Sequence, residues 1–443
     1  AKDYHQLIDC PILFAQPDTA SFMVGDTKIE IACYNEAGDA VADYIAKYIE
    51  PDLEAIYRFA GNELPVDKYT YLFFFQDFTN AEKMIYHGKV TPLKMLIKII
   101  LRHGRPKVGA LEHSNSSYNN YLYFGKLSSI PGLLDGSVVH EFMHIYTPLN
   151  LHSELIQNFN YSTPVMSKHL WLYEGVTEYL TKLIKLRGGL IDFNEFITYE
   201  MRPKIVRSFN YPEDMTFTEM SEKIFTNPYR QQFMQVYERG AVLAMLLDIE
   251  IISLTNGEKD LKRVVFDLSE RYGQYTAFDE DQFITEFVDE VHPDLLHFFE
   301  RYVSGSEPLE IEGGLAKVGI DYTFKEATRV PITILENGHG VLDVIEAFGY
   351  YTINKAGSDS PFKAKDKIRS SDMTTNCYKP YLRDNGEFIA ESETVKLPVY
   401  RNKTWIEIDL TPEFKDGTYY CKMKLADEPT ESQKILFNRW IGK

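Results

Sequence analysis

The chain has 443 residues, 44% of them hydrophobic, which is more than one core usually accommodates and points to two or three domains. Its 47 Lys and Arg stand against 65 Asp and Glu, for a net charge of −18, and the basic residues form no long run. That balance argues against a nucleic-acid-binding or anionic-membrane surface. The most apolar segments, Pro92 to Leu101 and Ala241 to Ile252, are interrupted by Lys94 and Lys98 or by Asp248 and Glu250. Both are too short to cross a bilayer and read as core helices, so no transmembrane segment is expected.

In chain order, residues Tyr4 to Glu30 alternate apolar runs with the turn residues Pro17, Asp18, Gly25 and Asp26, the pattern of strands. From Asp39 to Phe59 the apolar residues Val41, Tyr44, Ile45, Tyr48 and Ile49 recur at helical spacing. Tyr69 to Phe75 is aromatic and apolar on both faces, as in a strand inside a sheet. After a turn at Gly104, Arg105 and Pro106, the stretch VGALEHSNSSY (Val108 to Tyr118) presents Glu112 and His113 on an extended segment. There Gly109 keeps the backbone clear of its surroundings. If that segment edges a cleft, its backbone can pair with an extended peptide and Glu112 can bind an ammonium; the alternative is an internal salt bridge for Glu112.

SVVHEFMHIY (Ser137 to Tyr146) places His140 and His144 one helical turn apart with Glu141 beside the first. Two imidazoles at that spacing can bind one metal ion while the carboxylate reaches a water in the open position. Thirty residues on, LWLYEGVTEYL (Leu170 to Leu180) carries Glu174, which would complete a His2Glu zinc site as its third ligand; the alternative is a solvated helix carboxylate, against which its apolar neighbours argue. Glu178, four residues later, can accept the outer N–H of a ligating histidine. Gly188 and Gly189 end that helix, and Asn194 to Asn227 is mixed. A strong helix then runs from about Tyr229 to Leu254, with Gly240 inside it. Glycine there costs about 1 kcal/mol relative to alanine, which close packing against another backbone would justify. Tyr237 on this helix can donate its O–H to a developing oxyanion or serve as a buried structural tyrosine.

Asp260 to Tyr272 and Asp281 to Tyr302 continue as amphipathic helices, and GSEPLEIEGG (Gly305 to Gly314) marks a boundary. Beyond it, Thr333 to Leu335, Val341 to Ile345, Val395 to Tyr400 and Trp405 to Leu410 read as strands. Cys10, Cys33, Cys377 and Cys421 form no C-x-x-C and read as buried thiols, with a bridge between the last two left open. A chain beginning at Ala1 fits a processed secreted or cell-envelope protein or a trimmed one, so the compartment stays open.

With these motifs in order, the chain resembles the glycyl aminopeptidase family of zinc metallopeptidases, in the gluzincin group that also includes the aminopeptidase N family. The resemblance covers most of residues 5 to 305 and rests on LIDCPILF, GNELPVDKY, GALEHSNSS, HEFMH, LWLYEGVTEYL and VYERGAV. It implies an α+β protein with a thermolysin-like catalytic domain over residues 31–305, comprising a small mixed sheet and a helical subdomain. Residues 1–30 would be a remnant of, or linker from, an N-terminal β domain. Residues 315–443 would form a β-rich domain, PDZ-like in degenerate form through INKAGSDSPFKAKDKI (Ile353 to Ile368).

For the site, the resemblance implies Zn²⁺ on His140, His144 and Glu174, with Glu141 as general base and Glu178 behind the ligands. Tyr237 would stabilise the tetrahedral intermediate, and Gly109, Ala110, Glu112 and His113 would form the substrate-binding segment, Glu112 recognising the free amino terminus. The implied substrates are peptides with a free N-terminus and a small first residue such as Gly or Ala. Oligomeric state stays open. Two rivals are an endopeptidase with the same zinc chemistry and a peptidase-derived binding scaffold; the intact catalytic side chains argue against the second.

Overall fold

Alternation along one aromatic strand organises the first sheet. In β3 (Lys68–Asp77), Tyr69, Tyr71, Phe73 and Phe75 are buried and most residues between them are half-buried, as in a strand covered on both faces. The computed structural model describes residues 4–79, 108–134, 136–347, 350–373, 377–383 and 386–443. The apolar segment Pro92 to Leu101 and the turn at Gly104 to Pro106 lie outside them. β3 sits centrally in a five-stranded sheet with β1 (Asp18–Val24), β2 (Thr27–Asn35), β4 (Gly109–His113) and β5 (Ser116–Tyr123), in the order β1-β2-β3-β5-β4. β2, β3 and β5 are parallel, and β1 and β4 are antiparallel edges, so the sheet is small and mixed. Thus β1 and β2 pair into the same sheet as β3.

The first residues depart from the sequence reading. Tyr4–Asp9 is a helix, not a strand. Its end delivers the Asp9 carboxylate to the β4–β5 turn, 3.2 Å from His113 Nδ1 and 2.8 Å from the Ser114 N–H that donates to it.

The helix Ala42–Phe59 packs Ile45, Ile49, Leu53 and Ile56 into the core at spacings of three and four. The helix Gln235–Leu254 is preceded by a 3₁₀ turn at Tyr229–Gln232 and is buried around most of its circumference. Asp281 to Tyr302 is two helices rather than one, Phe283–Val291 and Leu296–Tyr302. Pro293 has no N–H to continue the ladder, and the residue before it, His292, is extended at φ −166°, ψ 137°. Among the described residues no helix is long and apolar enough to cross a membrane.

Strands dominate the last third. β6 (Ile320–Pro331) pairs antiparallel with β12 (Phe414–Leu425). Between them lie β7 (Val341–Ala347), β8 (Tyr350–Ala356), β9 (Lys367–Arg369), β10 (Val395–Arg401) and β11 (Thr404–Leu410), in a second sheet of order β11-β10-β9-β8-β7. Thr333 to Leu335 is not a strand: Thr333 caps a 3₁₀ turn, Ile334–Glu336, in a capping box with Glu336, so local side-chain bonding overrides the apolar pair. The stretch Ile353 to Ile368 runs from β8 through a turn into β9.

Two cores result. Ile353, Phe362, Leu397, Val399 and Cys377 belong to the second, whereas Ile320, Cys421, Met423, Trp440 and Ile441 belong to the first. Cys377 and Cys421 therefore lie in different cores, and none of the four cysteines is in a disulfide.

The last helix, Glu431–Ile441, is tied to the first core by a buried relay. Trp440 Nε1–H donates to Tyr179 Oη at 2.8 Å, and Tyr179 O–H donates to Asp248 Oδ2 at 2.6 Å. Asp248 Oδ1 also accepts the Leu261 N–H at 2.7 Å. Burial pushes the Asp248 carboxyl up to about 6, against the pull of Arg187 and these donors. Its folded pKa thus lies above the unfolded value of roughly 3.9, and the folded protein holds an extra proton between about pH 4 and 6. The associated stability is present below about pH 4 and lost as pH rises through 6. Asp248→Asn, which cannot ionise, should gain on the parent by about 2–3 kcal/mol between pH 4 and 7. Urea unfolding at both pH values checks this, and a difference that is flat with pH would show the carboxyl titrates normally.

Candidate metal centre

The helix Ser137–Met143 lies on β3. Tyr69 O–H donates to the Glu141 carbonyl at 2.9 Å, Tyr71 O–H donates to that of Val138 at 3.2 Å, and the rings of Tyr69 and Phe142 stand 4.8 Å apart. The helix ends at Met143, one residue before His144, which keeps a helical backbone (φ −62°, ψ −11°) and so shares a face with His140. The two rings are 4.7 Å apart and nearly perpendicular.

Glu174 reaches them from a π-helical turn, Trp171–Val176, that opens the helix Thr177–Arg187. Such widened turns are rare and concentrate at functional sites. Glu174 Oε2 is 3.1 Å from His140 Nε2 and 3.8 Å from His144 Nε2. The other ring nitrogens are committed: His140 Nδ1 stands 3.0 Å from Glu178 Oε2, and His144 Nδ1 2.9 Å from the Thr147 carbonyl. With a proton on each Nδ1, both Nε2 lone pairs face Glu174. Ligand-type atoms of His140, His144 and Glu174 all lie within 4.8 Å of one another. Two imidazoles and one carboxylate suit zinc, and a donor set so compact and buried fits one small divalent ion.

Electrostatics follow from this crowding. Although burial disfavours its charge, the carboxylates of Glu174 and Glu178 hold His140 up to about 10. Burial, with Glu112, Glu174 and Glu178 nearby, pushes Glu141 up to about 8. Burial also raises Glu112. Glu174 and Glu178 are held below the ordinary carboxylate range despite their burial, by the imidazoles and, for Glu178, by Lys182 and Lys204.

Glu112 arrives from β4, where it is cross-strand from Ser117, and its carboxylate lies within 4.8 Å of ligand-type atoms of Glu141 and His144. Glu141 Oε2 is buried without a hydrogen-bond partner. Ala110 is two residues away on the same face of the strand, whereas His113 points to Asp9 rather than to the metal ligands. Gly109 has open space where a Cβ would be; its φ of +139° is the reason for glycine.

Tyr237, half-buried, has its ring 5.6 Å from that of His140 and its hydroxyl close to the Glu174 carboxylate. It gets there because two helices meet backbone to backbone. A Cβ on Gly175 would lie 2.8 Å from Gly240 Cα, and one on Gly240 2.8 Å from Gly175 Cα. The residues next to Gly175 and one turn before Gly240 are Glu174 and Tyr237. Sequence reading missed Asp9, Lys182 and Lys204 around this site. Lys182 stands four residues after Glu178 on the same helix, a spacing that could have marked it, whereas Asp9, within LIDCPILF, and Lys204 are brought in only by the packing of distant elements.

Residues 134–243 match the family described as M61 glycyl aminopeptidase. That match spans about a quarter of the chain. It contains His140, Glu141, His144, Glu174, Glu178 and Tyr237 but stops short of Glu112. The whole chain superposes on an aminopeptidase N family protein from Idiomarina loihiensis at 16% identity and TM-score 0.59, covering 73% of that protein. This shows a shared mixed α+β fold. An M1 zinc metallopeptidase from Deinococcus radiodurans is more distant, at 13% identity and TM-score 0.41 over 67% of this chain and 53% of that one. No curated protein matches the sequence.

The glycine crossing has a measurable consequence. By helix propensity alone Gly240→Ala should gain about 1 kcal/mol. Because its methyl would meet backbone, it should instead lose about 1–3 kcal/mol. Denaturant unfolding decides the sign, and unchanged or higher stability would show that the helices can separate freely.

Proposed function

We propose that this chain is an M61-type metallopeptidase, a zinc-dependent aminopeptidase that removes N-terminal residues, small ones such as Gly or Ala first, from peptides. The observation that carries the aminopeptidase part is the Glu112 carboxylate on an edge strand within 4.8 Å of Glu141 and His144. A carboxylate there binds a substrate ammonium and leaves no room for a preceding residue to pass.

His140, His144 and Glu174 would hold the ion. When bound, zinc supplies Lewis acidity, which polarises a carbonyl and makes water a better nucleophile near neutral pH. Glu141, whose Oε2 is otherwise unpartnered, takes the proton from the attacking water and passes it to the leaving amine. Tyr237 directs its O–H to the developing oxyanion. The edge of β4, which pairs with no further strand among the described residues, pairs with the substrate backbone, with Ala110 lining the strand beside Glu112 and the bonds between Asp9 and the His113–Ser114 turn fixing that edge. The fold supporting this site is thermolysin-like in its sheet, active-site helices and helical half, with the second, strand-rich core as a separate C-terminal unit.

The test is hydrolysis of Gly- and Ala-p-nitroanilide by the zinc-loaded protein, compared with the N-acetylated substrates. Only the free-amine substrates should be cut, and chelation should abolish cutting. Glu112→Gln should lower kcat/KM on them by about 10- to 100-fold, as expected for a lost charge-assisted bond. Glu141→Gln should lower kcat by at least about 100-fold while still binding zinc. Equal cleavage of acetylated substrates would convert the assignment to an endopeptidase.

A further inference from the structure

Behind His140 lies a cluster of charged side chains that the reaction does not touch. Glu178 faces His140 with Oε2 and turns its other oxygen away from the site. That Oε1 is 2.8 Å from Lys204 Nζ and 3.6 Å from Lys182 Nζ. Both lysines are largely buried, with side chains 9% and 12% exposed. Each also reaches a second carboxylate: Lys204 Nζ lies 3.8 Å from Glu238 Oε2, and Lys182 Nζ 3.2 Å from Glu200 Oε2.

The four partners come from different stretches. Lys182 is one turn beyond Glu178 on the same helix, and Lys204 is on the short helix Arg202–Ser208. Glu200 is on the π-helical turn Phe196–Met201, and Glu238 is on the long helix next to Tyr237. Gly136, which precedes the histidine helix, makes room for this group, since a Cβ there would be 3.1 Å from Lys182 Nζ.

A carboxylate on a flexible side chain can rotate, and a rotated Glu178 would no longer present Oε2 along the His140 Nδ1–H. Lysines are seldom buried unless something requires them. Here they grip the oxygen that His140 does not use, and the ion pairs to Glu238 and Glu200 hold the lysines in turn. We propose that Lys204, assisted by Lys182, is a positioning residue for the metal centre: it fixes the Glu178 carboxylate, and through it the tautomer and orientation of the His140 ring. The proposal rests on the metal-centre part of the functional reading but not on the aminopeptidase part.

Outer partners of ligating histidines typically change metal affinity by about 10- to 100-fold when removed, and the clamp acts one bond further out. Lys204→Met should therefore weaken zinc binding by about 10-fold in competition with a chromogenic chelator. It should also alter the visible absorption of the cobalt-loaded protein, which reports ligand geometry. Lys204→Arg, which can still reach Glu178, should restore both. Arg207→Ala removes an exposed side chain that pairs with Glu238 and not with Glu178, and should change neither.

Wild-type affinity and cobalt spectrum in a folded Lys204→Met would overturn the proposal and leave the metal centre standing. If that variant does not fold, Lys182→Met decides: weaker zinc binding supports the clamp, and unchanged binding overturns it. A wild-type protein that binds no metal would overturn both the clamp and the functional reading beneath it.

Discussion

Four carboxylates, Glu112, Glu141, Glu174 and Glu178, converge on two buried imidazoles, and the rest of the first core is built to tolerate that. Unpaired, such a concentration of negative charge out of water would be expensive. The protein meets part of it from behind, where Lys182 and Lys204 bond Glu178. The remainder includes Glu141 Oε2, buried without a hydrogen-bond partner. In the proposed function, a divalent ion among His140, His144 and Glu174 and an ammonium against Glu112 balance these carboxylates.

Rigid elements deliver each group. β3 grips the histidine helix through Tyr69 and Tyr71, so the strand with the most regular pattern in the sequence carries the most sensitive helix. The Gly175–Gly240 contact sets the distance between Glu174 and Tyr237 with no side chain in between. The relay from Trp440 through Tyr179 to Asp248 fastens the end of the chain to the same pair of helices. Tyr179 directly follows Glu178, so the last helix supports the helix that carries the outer acid of the site.

Local pattern made much of this legible. His140, Glu141 and His144 follow from helical spacing alone, and β3, Ala42–Phe59 and Gln235–Leu254 from periodicity. Gly240 is an instance where cost revealed structure: a glycine that weakens a helix implied a backbone contact, and the partner is Gly175. Where local rules competed, reading failed. Pro293 split one amphipathic run into two helices, Thr333 preferred a capping box to a strand, and Tyr4–Asp9 coiled to bring Asp9 to His113.

The histidine donors proposed for the metal can be read from the chain alone, because two imidazoles on one ion need a short, fixed spacing on one helix. The sequence could not determine which distant residues would stand behind those donors. Glu112 and Glu174 come from different elements, and the distance from each to the histidines depends on sheet order and helix crossing. Lys204 lies in a stretch of mixed pattern, and nothing local marks it as buried against Glu178. Only tertiary structure decided that contact, because burial is a property of everything packed around a residue, and a lysine enters a core only where a carboxylate already waits.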